Sequence, residues 1–109
     1  MEKITEIRGL FLQSLPLFNA LGNETRQQLI LLMMESDPKT VQQLSLALGL
    51  SRPAVSHHIK LLKDVGLLTE ERKGMKRYYS PMVSMYIATL KDLIDAVDDL
   101  IKCNKGRCQ

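Results

Sequence analysis

Three consecutive pieces, TVQQLSLALGL (residues 40–50), SRPAVSHHIKLLKDV (51–65) and LLTEERKGMKRYYS (67–80), decide how this chain folds. In the first, Thr40-Val41-Gln42-Gln43 is a capping box: the Thr hydroxyl takes an orphan N–H of the first turn and the Gln side chain reaches back to the cap. A helix is therefore predicted from Val41, with Val41, Leu44 and Leu48 at helical spacing and Gly49 as its left-handed stop. In the second, Ser51 is an N-cap and Pro53 falls in the first turn, where its missing N–H breaks no intrahelical bond. Val55, Ile59 and Leu62 give this helix a buried stripe, while Arg52, Ser56, His57, Lys60 and Lys63 point elsewhere. Two short helices joined by a turn of a few residues containing Gly make a helix-turn-helix. In the third, residues 67–72 and 76–80 are strand-like runs around Lys73-Gly74-Met75, so a hairpin is expected. It carries Arg72, Lys73, Lys76 and Arg77, and so reads as a basic wing.

Composition permits this reading and limits others. The chain has 109 residues, enough for one domain but not two, and a domain of this size buries little core unless it oligomerises. The net charge of +3 is by itself a weak pointer to a polyanionic partner, but its distribution says more. Residues 51–79 hold seven Lys/Arg (Arg52, Lys60, Lys63, Arg72, Lys73, Lys76, Arg77) against three acids (Asp64, Glu70, Glu71). Clustering on one element is what an electrostatic footprint for nucleic acid requires. The start of the chain lacks the basic, apolar and small-residue zones of a signal peptide, and no apolar run is long enough to span a bilayer. A cytoplasmic protein without a membrane partner is expected. An enzyme is not: there is no Ser/His/Asp or Cys/His set with a plausible pocket, and no phosphate-cradling glycine motif.

Helices are also predicted on both sides of the reader. Ile4, Ile7, Phe11 and Leu15 keep helical spacing, and Pro16 is expected to stop or kink that helix and start a short one reaching Leu21. Gly22-Asn23 closes it and caps the next helix, 24–35, with Leu29, Leu32 and Met33 on one side, before Asp37-Pro38 breaks it. Residues 84–103 form a long amphipathic helix with the stripe Ile87, Leu90, Ile94, Val97 and Ile101, and with Asp92, Asp95 and Asp99 off it. The expected fold is mainly α with a small β-hairpin, a winged helix-turn-helix with N- and C-terminal dimerisation helices. Residues 1–109 are read as a single domain in which 1–22 and 84–103 dimerise, 40–80 carry the helix-turn-helix plus wing, and 104–109 are a tail. Both terminal helices carry more aliphatic surface than one small domain needs, so a homodimer across a two-fold axis is expected. Symmetry then sets two recognition helices one duplex turn apart, about 34–36 Å, on an inverted-repeat operator.

The motifs at 21–26 (LGNETR), 51–63 (SRPAVSHHIKLLK), 66–68 (GLL) and 77–79 (RYY) keep an order and spacing that resembles the ArsR/SmtB winged-helix repressors over residues 17–100. The resemblance implies a dimeric transcriptional repressor of double-stranded DNA, often released from its operator by a metal, metalloid or oxidant. It implies that the helix matching 51–65 enters the major groove with Ser51, Arg52, Pro53, Ser56, His57 and Lys60. The hairpin matching 67–80 would then touch flanking backbone or minor groove with Arg72, Lys73, Lys76 and Arg77. The residues' own chemistry fits: Arg and Lys reach guanine O6 and N7, and wing cations suit phosphates, where they set affinity and salt dependence more than sequence choice. The competing reading of the helix face is a solvated polar surface. His58 lies beside the buried stripe and reads as a packing or hydrogen-bonding residue. Neighbours on a helix diverge by about 100°, so His57 and His58 do not chelate one ion together. Tyr78 and Tyr79 suit base stacking, or core packing for at least one of them.

No resident cofactor or metal is expected. Metal-sensing members of the resembled family can carry a thiolate pair at the start of the reader's first helix, where this chain has Val41-Gln42-Gln43-Leu44-Ser45. Another family site uses Asp and His on the last helix, where this chain has carboxylates and no histidine. What remains is Cys103 and Cys108. Two thiolates hold a thiophilic metal or trivalent arsenic if joined by a third ligand or a cysteine of a second copy, or form a disulfide under an oxidant. The bland alternative is two incidental cysteines in a frayed tail. The expected function is thus a sequence-specific dimeric repressor with an effector sensed at these cysteines. The alternatives are a regulator answering to another ligand or protein partner, and a winged-helix protein-interaction module.

Overall fold

The computed structural model describes residues 2–35, 37–82 and 84–104. Its elements are α1 (Glu2–Leu21), α2 (Glu24–Glu35), α3 (Val41–Leu48), α4 (Arg52–Asp64), β1 (Leu68–Lys73), β2 (Lys76–Pro81) and α5 (Ser84–Asn104). They fall into two compact units, Leu17–Val83 and a second made of Met1–Pro16 with Ser84–Gln109. Pro16 lies inside α1, which runs through it to Leu21, so the stop expected there does not occur. A proline removes one i to i−4 bond and crowds the preceding turn, but a 20-residue helix keeps the rest of its ladder on both sides.

In the unit Leu17–Val83, each helix end is closed by the residues that announced it. Asn23 caps α2, its Oδ1 accepting the Arg26 N–H at 3.1 Å. The buried face of α2 is Leu29, Ile30 and Met33, while Leu32 is only half-buried. At 100° per residue these three span a narrow arc, and Leu32 falls off its edge. The box at α3 is complete: Thr40 Oγ1 accepts the Gln43 N–H at 3.2 Å, and Gln43 Oε1 accepts the Thr40 N–H at 2.9 Å. Gly49 then adopts φ 67°, and the Ser45 carbonyl accepts from both the Gly49 and Leu50 N–H groups. A Cβ there would meet nothing within 4 Å, so the glycine is required by its backbone conformation alone.

Ser51 Oγ accepts the Ala54 N–H at 3.3 Å and starts α4, which buries Val55, Ile59 and Leu62. Burying three such side chains contributes roughly 1.5–3 kcal/mol each, which anchors the helix and leaves its opposite face free. The helix ends with the Gly66 N–H on the Lys63 carbonyl (3.0 Å) and the Leu67 N–H on the Leu62 carbonyl (2.9 Å), a Schellman closure whose apolar ends, Leu62 and Leu67, are both fully buried.

Strands β1 and β2 pair antiparallel from Leu68↔Pro81 to Lys73↔Lys76. Their two-residue turn, Gly74-Met75, has a positive φ (64°) only at Gly74, the pattern of a type II′ turn. Tyr79 fixes the hairpin's root. It is buried, and its N–H and carbonyl exchange bonds of 2.8 and 3.1 Å with Lys39, just ahead of the α3 cap.

In the other unit, Ile7, Leu93 and Ala96 form the core, with Leu10, Val97 and Leu100 packed against it. The stripe expected on α5 is not its buried face. Leu90 and Val97 are half-buried, and Ile87, Ile94 and Ile101 are 43%, 64% and 47% exposed. On α1, Ile4, Phe11, Leu12 and Leu15 are likewise exposed.

Candidate nucleic-acid interface

Because α4 turns Val55, Ile59 and Leu62 inward, the residues between them must face out. Ser51, Arg52, Pro53, Ser56, His57 and Lys60 are all exposed. So are Arg72, Lys73, Lys76 and Arg77 of the hairpin. The register sets like charges directly opposite, Arg72 against Arg77 and Lys73 against Lys76, an arrangement that costs the free hairpin stability. Among the described residues, Arg52, Lys60, Arg72, Lys73 and Lys76 form no ion pair; Lys73 Nζ lies 5.8 Å from the centre of the Tyr78 ring. Tyr78 is half-buried under that cation and Tyr79 is core, so the pair divides between rim and interior.

Helix and wing share one open cleft of about 510 Å³. Arg52 and Ser56 come from α4, Arg72, Lys76 and Arg77 from the hairpin, and Thr40, Val41 and Gln42 from the start of α3. Four cations and no carboxylate line it, which makes it a seat for an anion. Lys60 lines a neighbouring cavity of about 380 Å³ with Ser56 and Arg77. His57 and Lys73 line neither of these two clefts.

Several residues that build this surface leave no clear mark in the sequence. Lys39 joins the hairpin through a single-residue bridge, too short to leave an alternating pattern. Met75 shares the turn with Gly74 and is 96% exposed at the wing tip. Arg26 bonds the end of α1, its Nε donating to the Ala20 carbonyl at 2.7 Å and its Nη2 to the Asn19 carbonyl at 3.2 Å. Its Nη1 stands 3.4 Å from His58 Nδ1, so the recognition helix is tied to the end of α1 through His58.

Burial, then the Arg26 guanidinium, then His57 hold the His58 ring below its ordinary pKa. The neutral ring accepts from Arg26, whereas a protonated one would face the Arg26 guanidinium as a like charge. The unfolded chain binds this proton at higher pH than the folded one, so the associated stability is full above about pH 6.5 and is lost as pH falls through the folded value. Thermal melts between about pH 7.5 and 5.5 should show wild type losing Tm on acidification more steeply than His58→Gln. Equal slopes would remove His58 as the titrating group.

Asp92, Asp95 and Asp99 are exposed along α5, and no group of three His, Cys, Asp or Glu among the described residues is placed to hold a metal. Cys103 sits half-buried in the last turn of α5 and is disulfide-bonded. Cys108 and the tail lie outside the described residues.

A capped helix-turn-helix, a basic two-stranded wing and an unpaired cationic face define a winged helix-turn-helix DNA-binding regulator. Comparison with known proteins agrees: the family model described as bacterial regulatory protein, arsR family, matches residues 23–70. The arsenical resistance operon repressor of Escherichia coli is 32% identical over 91% of this chain and 81% of that protein. The arsenic resistance transcriptional regulator ArsR1 of Pseudomonas putida is 37% identical over 72% of this chain, a match that spans 64% of that regulator's length. Among solved structures, the homodimeric winged helix-turn-helix DNA-binding domain of a possible ArsR-family regulator from Mycobacterium bovis superposes with a TM-score of 0.64. It is 27% identical and covers 84% of this chain and 83% of its own. The chain belongs to the arsR family of bacterial regulatory proteins. These relatives are transcriptional regulators, not enzymes.

Proposed function

We propose that this protein is a dimeric repressor that grips an inverted-repeat operator, with the α4 helices in successive major grooves and the wings on the flanking backbone. The observation that carries it is the shared cleft, in which Arg52 and Ser56 of α4 and Arg72, Lys76 and Arg77 of the wing converge without a carboxylate. Ser51, Pro53, His57 and Lys60 extend this surface along α4, and Lys73 extends it along the wing. Base-edge contacts fall to Arg52, Ser56, His57 and Lys60, and phosphate contacts to the wing.

The second copy is supported by α5. Ile87, Leu90, Ile94, Val97 and Ile101 follow the alternating three- and four-residue steps of a coiled-coil seam, and the three isoleucines stand exposed. The similar Mycobacterium bovis domain is itself homodimeric. A regulator of this kind acts in the cytoplasm, where its DNA is; no helix among the described residues is long and apolar enough to cross a membrane.

Both curated relatives described above are named for arsenic resistance, and the chain carries two cysteines, so the effector we assign is a thiophilic metal, metalloid or oxidant acting at Cys103 and Cys108 in their reduced form. One experiment tests both halves: selection of binding sites from random duplex DNA, then release from the selected site by arsenite, thiophilic metals and peroxide. An inverted repeat is expected, with release lost in the Cys103→Ser/Cys108→Ser variant. Recovery of no preferred sequence would end the repressor reading, and equal release from wild type and variant would end the cysteine sensor alone.

A further inference from the structure

Glu70 stands on β1 directly opposite Tyr79, and its carboxylate gathers groups from two other elements. Lys63 Nζ, in the last turn of α4, is 3.3 Å from Glu70 Oε1. Tyr79, its cross-strand partner, and Arg77, on the same face of β2, add a hydroxyl and a positive charge to its surroundings. Tyr79 first, and then Lys63, hold the carboxyl below the usual range, so it stays an anion at neutral pH. All four residues line the cavity that also carries Lys60 and Ser56 of the recognition helix.

Stability does not account for this arrangement. The Lys63 and Glu70 side chains are 47% and 23% exposed, and ion pairs at that exposure contribute little to folding. What the arrangement does is electrostatic. Lys63 is taken out of the set of cations open to phosphate. Phosphate contacts carry no sequence information, so each further free cation raises affinity for operator and random duplex alike, tightening the hold on every competing site without adding preference for one.

We propose that Glu70 is a positioning residue that limits overall duplex affinity: by engaging Lys63 it withholds one cationic charge from indiscriminate phosphate binding. This rests on the DNA-binding reading above. The neighbouring Glu71 supplies the control, since it is exposed and faces Tyr78 on the other side of the ladder, so its neutralisation changes net charge equally without freeing Lys63.

The test is a salt titration of full-length protein on the selected operator and on random duplex. Glu70→Gln should bind operator and random duplex alike about tenfold tighter at low salt, with a log–log salt slope steeper by about 0.9 for the freed Lys63 and an operator-to-random ratio nearly unchanged. Glu71→Gln should show only a minor version of this. Lys63→Met should leave wild-type binding nearly unchanged, yet remove most of the gain when combined with Glu70→Gln, the coupling a double-mutant cycle isolates. A Glu70→Gln slope equal to that of wild type or of Glu71→Gln, or a gain untouched by Lys63→Met, overturns the proposal. If wild type binds no duplex at all, the repressor reading falls first and takes this inference with it.

Discussion

Replacing Ile87 and Ile94 together by Glu is expected to give a protein that sediments as a monomer and binds its operator at least a hundredfold more weakly. The two side chains are 43% and 64% exposed, and the core of their own unit is Ile7, Leu93 and Ala96, so the folded protomer does not depend on them. In the proposed dimer the same positions would form the centre of the seam, where two carboxylates from each copy would have to be desolvated opposite one another. Burying unpaired charge in that way costs several kcal/mol per ion and outweighs the apolar packing it replaces. The effect on DNA binding exceeds the effect on the seam itself. A dimer makes the second half-site an intramolecular event, and without that linkage apparent affinity falls by roughly two to four orders of magnitude. Sedimentation at micromolar concentration and gel-shift titration check the two parts, with far-UV dichroism confirming that α5 persists. A variant that stays dimeric, or a monomer that binds the operator as wild type does, would show that α5 is not the seam.

This prediction depends on exposure, which the sequence could not supply. Local signals are legible where the chemistry is local: the Thr40 and Gln43 side chains bond within three residues of each other, Gly49 turns the chain by its own φ, and Ser51 caps its own helix. The stripe Val55, Ile59 and Leu62 is legible because α4 has only one apolar face to bury. On α5 the pattern is equally regular, but none of its five residues is among the buried ones. The isoleucines that look like core by spacing stand open, and Leu93 and Ala96, which do not stand out in the sequence, are buried. Pro16 misleads for a related reason, since a break expected from one missing bond is overridden by the rest of a 20-residue helix. The site divides the same way. Its cations are visible as composition, whereas the carboxylate that engages one of them, Glu70 against Lys63, emerges only once the fold has brought α4 and β1 together.

Neutralising the wing should separate stability from binding, because the two respond with opposite sign. With Arg72, Lys73, Lys76 and Arg77 all changed to Gln, two like-charge cross-strand pairs vanish, and the hairpin gains roughly a few tenths of a kcal/mol or more. Operator and random-duplex affinities should nonetheless fall together by orders of magnitude at moderate salt. The salt slope should shrink by up to about 0.9 for each cation removed, approaching about 3.6 per protomer if all four meet phosphate. Since phosphate recognition carries no sequence information, the operator-to-random ratio should be nearly preserved. Arg52→Ala makes the opposite case. It lies on α4 and lines the same cleft, and if it reads a base edge as proposed, its removal should cost about 1–3 kcal/mol on the operator and relax preference at that position, while the salt slope barely moves. A wing variant that keeps its slope, or an Arg52→Ala variant that binds operator and random DNA equally more weakly, would reverse the division of labour between the two elements. A hairpin that carried its cations for folding would lose stability when they are removed, so the Tm of the four-Gln variant alone decides whether those charges serve the protein or its partner.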